Sequence, residues 1–203
     1  MIFDNKQPQE IYELIAEWLC SKSFAGHTCK STFKYFHKNL WNPILVYIKY
    51  LKYKDNLSEE EREFLDTVVY NGDIFRVLRY YPRDKKYVYE MNEYQSWSKS
   101  LNGLKKIPGL QGDYLLIIGK SDVGINVFEL LCFLIKNKYI VNPNGLKSFE
   151  RIARYELEEE ITYKVSFDRI HRIVAVNSKD LLEYDDNIIR EIDRKLWGRN
   201  NFR

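Results

Sequence analysis

The stretch YELEEEITYKVSF, residues 155–167, joins three adjacent glutamates to a run of β-branched and aromatic residues. The second half is typical of a β-strand, whereas the adjacent carboxylates repel one another and gain nothing from a surface turn. A solvated strand entrance is the simplest interpretation, because runs of like charge usually lie in water. The alternative is that the glutamates serve a functional site where the strand begins.

Similar short runs elsewhere in the chain predict a mostly antiparallel sheet. Each is rich in β-branched and aromatic residues and is bounded by Gly, Pro, Asn or Asp. One helix, at about Val123–Lys136, interrupts them and is apolar nearly all round, as an enclosed helix would be. The predicted strands are residues 74–81, 86–91, 113–119, 161–167 and 171–176.

The first third of the chain predicts helices instead. The first helix is indicated by apolar residues at the spacing of one helix face, namely Ile11, Leu14, Ile15, Trp18 and Leu19. A second helix is expected over 31–53, with a break or restart at Pro43. At the other end of the chain, residues 178–199 predict a final charged amphipathic helix.

A capping box precedes the third predicted helix. Ser58 can accept a hydrogen bond from the amide of Glu61, while the Glu61 side chain reaches back to Ser58. The helix is expected to run to about Val69 and to be closed by Asn71-Gly72. The sequence therefore predicts an α+β fold in one compact unit, with a helical part over 1–72, a β core over 73–177 and a helix over 178–203.

The composition bounds the class of protein. A chain of 203 residues is expected to form one domain, or one domain with a small extension. The net charge of +3 and the 16 tyrosines give weak support for a polyanionic partner and suit half-wet grooves. Nucleic acid is neither required nor excluded.

Cysteine usage and hydropathy predict a cytoplasmic protein without a membrane span. The three cysteines follow no framework spacing, which favours a reducing compartment. The start of the chain lacks the basic and apolar regions of a signal peptide. The most apolar segment, 127–135, contains Glu129 and is shorter than the ~20 residues that a membrane span needs.

Several common sites are not indicated. Gly109 and Gly112 follow a proline and predict a turn, not a phosphate-binding loop. The three histidines lie in no recognisable nucleophile setting. We expect no metal, because no standard zinc spacing is found among Cys20, His27, Cys29 and His37.

Polar positions within the apolar strands are the remaining candidates for chemistry. Arg76 interrupts the run 74–81, although a lone strand arginine commonly meets solvent or a surface carboxylate. In YQSWSKS, residues 94–100, Ser96 and Ser98 would share one face of a strand while Trp97 points to the other. Such hydroxyls suit a turn and equally suit the edge of a pocket.

The glutamates supply the third such position. Glu158 and Glu160 would share one face of the strand entrance, with Glu159 pointing into water. The alternative is that the pair lies two residues earlier in the chain and consists of Glu156 and Glu158. We prefer Glu160 because it adjoins the apolar run, where a strand residue is held rigidly.

An ordered Arg, Ser-x-Ser and Glu-x-Glu on separate strands resembles the arginine–serine–glutamate class of mono-ADP-ribosyltransferases, which contains the C2- and C3-like bacterial toxins. Arg76 in IFRVLR matches the arginine of that family, with Arg79 in reserve. Ser96-Trp97-Ser98 matches its serine motif, and 158–160 matches its Glu-x-Glu. The resemblance covers about 74–176, and it implies that helices precede the β core.

Two residues depart from the family pattern. Val77 replaces the usual glycine after the arginine, which would narrow the groove beside the pyrophosphate. Trp97 replaces threonine, and either lines the NAD groove with its two serine neighbours or packs in the core.

The resemblance assigns roles in cleaving NAD, which serves as the ADP-ribose donor. Breaking the nicotinamide bond creates an oxocarbenium-like sugar, which a carboxylate in a partly dry site stabilises. Glu160 would be that carboxylate, and Ser96 would hydrogen-bond it. Arg76 would bind the cofactor phosphates with its planar fork. Glu158 would act on the acceptor, and in the family a glutamate in this place is linked to arginine acceptors.

The segment SFERIARYEL, residues 148–157, would be the acceptor-recognition loop. Phe149 or Tyr155 would supply its aromatic contact. Arg151 and Arg154 give the loop positive charge that an RNA or DNA acceptor could use.

The implied activity is transfer of ADP-ribose to a macromolecule, either a protein arginine or a nucleic-acid base. Two alternatives remain: an NAD glycohydrolase of the same fold, and a non-enzymatic module that binds single-stranded nucleic acid by stacking on tyrosines. A small enzyme of this kind fits an intracellular toxin of a toxin–antitoxin or anti-phage system, with an antitoxin as its protein partner. An injected effector is the other possibility.

Overall fold

The computed structural model describes residues 8–21, 34–79, 94–107, 109–140 and 154–183 of the chain. Two short 3-10 segments, Arg154–Glu158 and Phe167–Arg169, flank the fourth strand. The described ranges contain the α-helices α1 (Pro8–Ser21), α2 (Asn42–Lys52), α3 (Glu59–Val68), α4 (Leu101–Lys105), α5 (Val127–Lys136) and α6 (Ser178–Glu183).

The strands form one antiparallel sheet, as the alternation in the sequence predicts. Their order is β1-β2-β4-β3-β5, and β1 also pairs with β3, so four of them close into a ring. They are β1 (Val69–Arg79), β2 (Gln95–Ser98), β3 (Asp113–Asn126), β4 (Glu160–Tyr163) and β5 (Ile170–Asn177).

The largest apolar cluster joins the N-terminal helices to the sheet. Trp18 on α1, Trp41, and Ile44 and Ile48 on α2 are almost fully buried there, together with residues of α3 and α5. Ile125 brings the far end of β3 into the same cluster. The predicted helical part therefore packs directly against the β core, and its position is set by burial of aromatic and aliphatic surface.

A second cluster fills the ring of strands. Each of the four strands contributes at least one buried side chain to it, and these side chains contact one another. Alternate residues of each strand therefore point into the ring, and the residues between them point outward. The inward residues are Ile74, Trp97, Ile117, Ile161 and Tyr163.

The capping box is confirmed, but the closure of its helix is not. Ser58 accepts from Glu61, and the Glu61 side chain accepts from the Ser58 amide. The helix does not end in a turn at Asn71-Gly72, because strand β1 begins directly at Val69. An irregularity in the ladder between Tyr70 and Gly72 takes the place of the turn.

Other boundaries also differ from prediction. The 14 residues of β3 run to Asn126, so the helix predicted from Val123 starts only at Val127, where the Asn126 side chain caps it. A π-helical segment, His37–Trp41, replaces the predicted break before Pro43. The strand predicted over 86–91 lies outside the described residues, as does the end of the helix predicted over 178–199.

No helix in the described ranges combines the length and the hydropathy that crossing a membrane requires.

Candidate active site

The three motif strands predicted from the sequence are neighbours in the sheet. Strand β2, with the serines, lies between β1, with Arg76, and β4, which begins at Glu160. Phe75 of β1 is opposite Ser98, and Ser98 is in turn opposite Glu160. The chain thus brings segments more than 60 residues apart into one antiparallel ladder.

Glu160 is a buried carboxylate with two identified donors. Its side chain belongs to a residue that is only 4% exposed. The indole Nε1 of Trp18 donates to Oε1 at 2.8 Å, and the hydroxyl of Thr162 contacts the same oxygen at 3.4 Å. A buried carboxylate needs such partners, and together they fix its orientation.

The serine closest to Glu160 in the ladder is Ser98. Opposite residues of an antiparallel pair have their Cβ atoms about 4.5–5.5 Å apart, whereas Ser96 is opposite Thr162. The ladder therefore places Ser98, and not Ser96, directly opposite Glu160, and the hydrogen bond from Ser96 to the Glu160 carboxylate stays a prediction. The Ser98 hydroxyl itself donates to the backbone oxygen of Glu158 at 2.9 Å, which ties β2 to the segment before β4.

A glycine allows helix α4 to approach this junction closely. A Cβ atom on Gly103 would lie 2.2 Å from Oγ of Ser98 and 2.6 Å from the backbone oxygen of Glu158. Ser100 caps the helix by accepting from the Gly103 amide at 3.0 Å. The absence of a side chain at Gly103 thus preserves the contact between β2 and the glutamate segment.

The glutamate triplet does not form a regular strand. Glu158 ends a 3-10 segment, and Glu159 has a φ of 50°, so β4 begins only at Glu160. The prediction that Glu158 and Glu160 share a strand face is therefore wrong. Glu159 also does not simply point into water, because Ser100 donates to its carboxylate and Lys99 lies 3.8 Å from it.

Arg76 lies on the inward side of the ring. Since Phe75 is opposite Ser98, Arg76 adjoins Trp97 in the next position of the ladder. Its Nη1 donates to the backbone oxygen of Ser96 at 2.7 Å, and its guanidinium carbon is 6.0 Å from the centre of the Trp97 ring. Trp97 is 2% exposed and packs in the core of the ring, so it does not line a groove.

The alternation of side chains along β1 places Arg79 on the outer side of the ring, opposite to Arg76. The ladder with β3 is regular from Gly72 to Arg79, so Phe75 and Arg79 both point outward, opposite to Arg76. This is the outer face of the ring, which also carries Ser98 on β2 and Glu160 on β4. Arg79 is exposed on this outer face, whereas the side chain of Arg76 is directed into the ring.

Part of the predicted acceptor loop can be placed. The backbone of Arg154 and Tyr155 belongs to the 3-10 segment that leads into Glu158. Phe149 and Arg151 lie outside the described residues, as do the side chains of Arg154 and Tyr155. Leu157, in the same segment, is 61% exposed and was not singled out from the sequence.

A polar network joins β3, β4 and the 3-10 segment Phe167–Arg169. The hydroxyl of Tyr163 donates to Oδ1 of Asp122 at 2.8 Å, and Nη2 of Arg169 donates to Oδ2 at 3.0 Å. Burial, followed by the hydrogen bond to Asp122 and its negative charge, raises the pKa of Tyr163 to about 12. The phenol therefore remains a donor over the whole physiological range.

The described residues contain no group of three or more His, Cys, Asp or Glu side chains placed to hold a metal ion. Within that part of the chain, His37 has a packing role, because its Nε2 accepts from the amide of Tyr94 at 3.0 Å. His27 and Cys29 lie outside the described residues, and so does the side chain of Cys20.

Sequence reasoning missed Trp18 and Gly103 as parts of this site. Trp18 occupies the apolar face of α1, and the only available signal was that a buried indole N–H needs an acceptor. That signal does not identify the acceptor, since Glu160 is 142 residues away.

Comparison of the chain with family models, with curated proteins and with solved structures finds no match.

Proposed function

We propose that the chain is a mono-ADP-ribosyltransferase of the arginine–serine–glutamate class, which cleaves NAD and transfers ADP-ribose to a macromolecule. One observation supports this above all: Glu160 is buried, held by Trp18 and Thr162, and directly opposite a serine on the central strand of the three that carry the motifs. The family arrangement of a helical part packed on a β core belongs to the same proposal.

In this proposal Glu160 acts on the nicotinamide ribose. The glycosidic bond breaks with its electron pair leaving on nicotinamide, and the sugar gains positive charge. A fixed carboxylate in a dry environment stabilises that charge without reorganising. The hydrogen bonds that Trp18 and Thr162 donate to Oε1 hold that carboxylate in place.

The phosphate-binding role moves from Arg76 to Arg79. The guanidinium of Arg76 is directed into the ring, where it contacts Ser96 and the ring of Trp97. Arg79 is exposed on the outer face of the ring, and its planar fork suits a pyrophosphate. Ser98 lies opposite Glu160 in the ladder and holds the glutamate segment by donating to the backbone oxygen of Glu158.

An NAD glycohydrolase is the second candidate, and the position of Glu158 favours it. The acceptor-directed carboxylate was expected beside Glu160 on one strand, but Glu158 ends a 3-10 segment instead. If the Glu158 carboxylate does not serve an acceptor, water becomes the simplest nucleophile. Glu158→Gln distinguishes the candidates: it should abolish transfer while sparing hydrolysis if Glu158 serves the acceptor.

The test is incubation of the purified chain with NAD labelled in the adenylate part and a bacterial lysate. Label entering protein or nucleic acid supports the transferase, and free ADP-ribose with nicotinamide but no labelled macromolecule supports the hydrolase. An NAD pool that remains intact contradicts both. A cytoplasmic toxin in a toxin–antitoxin or anti-phage system is the setting we propose, and it requires that Glu160→Gln relieve growth inhibition in a bacterial host.

A further inference from the structure

A continuous helical surface carries lysines and tyrosines without any acidic residue. Residues 34–54 contain five lysines and no Asp or Glu. Residues 34–36, the π-helical segment His37–Trp41 and α2 follow one another directly, so the segment forms a nearly continuous helix. At about 1.5 Å per residue, its exposed side is roughly 27 Å long.

The inner side of this helix is buried, whereas its outer side is exposed. The inner side is buried in the main cluster through Leu40, Ile44, Ile48 and Leu51. The outer side, which we name the Lys/Tyr stripe, contains only exposed residues at spacings of one, three and four. It consists of Tyr35, Lys38, Asn42, Val46, Lys49, Tyr50 and Tyr53.

The tyrosines of the stripe expose large aromatic surfaces. Tyr53 is 89% exposed, Tyr50 is 56% exposed and Tyr35 is 49% exposed. Tyr50 is held by a stacked contact with Tyr47, with ring centroids 6.4 Å apart. Exposed aromatic faces are available for stacking, and a ring already held in place loses little entropy when it stacks on a partner.

The charges beside these rings point to a polyanion. Lys38 and Lys49 are exposed within the stripe, and Lys34 and Lys52 are exposed at its margins. Lys52 also donates to the backbone oxygen of Asp122 at 3.5 Å, and Lys54 pairs with Glu61 at 2.7 Å. The positive charge of this short segment exceeds the +3 of the whole chain, so it is a local concentration of charge.

We infer that the Lys/Tyr stripe binds single-stranded RNA. Lysines that contact the phosphate backbone, combined with aromatic rings on which bases stack, bind unpaired strands, because every base offers a face for stacking. A duplex offers phosphates but hides its base faces. The phenol hydroxyls and the Asn42 amide both donate and accept, which suits the 2′-hydroxyl of RNA.

The inference does not depend on the proposed enzyme activity. The stripe lies on the side of the helix away from the main cluster, whereas Trp18 and the Glu160 carboxylate lie on the inner side. RNA binding should therefore persist in Glu160→Gln. Loss of NAD cleavage and loss of RNA binding can be observed separately.

The test is fluorescence anisotropy with a labelled 20-nucleotide oligouridine, alongside oligothymidine, a 20-base-pair RNA duplex and heparin as competitor. We expect oligouridine to bind at least tenfold more tightly than the duplex and at least as tightly as oligothymidine. Tyr50→Ala/Tyr53→Ala should weaken binding at least tenfold, since each stacked base contributes substantially. Lys38→Gln/Lys49→Gln should weaken it and also reduce its salt dependence.

The matched control is Lys164→Gln/Phe167→Ala, which removes one exposed lysine and one exposed aromatic residue outside the stripe. Its affinity for oligouridine should equal that of the wild type. Equal binding of duplex and oligouridine, equal losses in the stripe and control variants, preferential binding of oligothymidine, or no binding by the wild type would each overturn the inference.

Discussion

The indole Nε1 of Trp18 donates a hydrogen bond to Oε1 of Glu160 across 2.8 Å, joining helix α1 to the first residue of strand β4. Both residues are buried, at 1% and 4% exposure. The contact links the N-terminal helix to the residue on which the proposed chemistry depends. It fixes the orientation of a carboxylate that would otherwise be buried at high cost.

Trp18→Phe should destabilise the protein more than Trp41→Phe. The two indoles belong to the same cluster, with ring centroids 4.9 Å apart, but Nε1 of Trp41 has no hydrogen-bond partner among the described residues. Each change removes similar volume, and only the first removes a bond to a charged group, worth about 1.5–3 kcal/mol. Denaturant unfolding of both variants measures the difference, and equal losses would contradict the role of the Trp18 hydrogen bond.

The sequence predicted the layout of the fold because its local signals are strong. The apolar face of α1, the capping box at Ser58 and the alternating strand beginning near Ile74 are each encoded within a few residues. The end of the third helix was wrong because Asn71-Gly72 signals a turn and also suits an irregular ladder position. A local pattern does not distinguish the two.

The site could be predicted only as far as its strands. Which residues of a strand face each other depends on the register, and a shift of one residue reverses every side chain. The structure therefore pairs Ser98, not Ser96, with Glu160 and turns Arg76 into the ring. The left-handed conformation of Glu159 is set by tertiary packing, and no sequence pattern indicated it.

Arg79→Lys and Arg76→Lys should have different effects. If Arg79 binds the pyrophosphate, the lysine keeps the charge but loses the fork, so affinity for NAD should fall by about 1–3 kcal/mol. Arg76→Lys should leave NAD affinity unchanged and lower stability by about 1 kcal/mol, because it loses its contacts with Ser96 and Trp97. Calorimetric titration with NAD and thermal unfolding decide, and the opposite pattern would restore the role to Arg76.

Gly103→Ala should loosen the junction between β2 and the glutamate segment. The new methyl group would meet Oγ of Ser98 at 2.2 Å and the Glu158 carbonyl oxygen at 2.6 Å, and overpacking of this kind costs about 1–3 kcal/mol. Asn102→Ala, one residue earlier and exposed, is the control and should be neutral or slightly stabilising. If Gly103→Ala is as stable as the control, the close approach of α4 is not required.

Tyr163 should make stability sensitive to alkaline pH. Its pKa in the folded protein is raised from the usual 10 to about 12, so its contribution is complete below pH 10 and is lost as the pH rises towards 12. Tyr163→Phe removes the titrating group and should flatten the decline. Part of the decline should remain, because burial also raises the pKa of Tyr94 to about 12. Identical pH profiles for the two proteins would exclude a contribution from Tyr163.

The central claim is that Glu160 stabilises the sugar cation formed when NAD is cleaved. Glu160→Gln keeps the shape of the side chain and removes its charge, so the variant should remain folded while the rate of nicotinamide release falls about 10²-fold or more. Glu59→Gln, which changes an exposed glutamate in the first turn of α3, should keep the wild-type rate. The decisive measurement is the rate of nicotinamide release from NAD by the wild type, Glu160→Gln and Glu59→Gln, with folding verified by thermal unfolding. A loss confined to folded Glu160→Gln is the predicted result, and a rate within about threefold of the wild type would contradict the account.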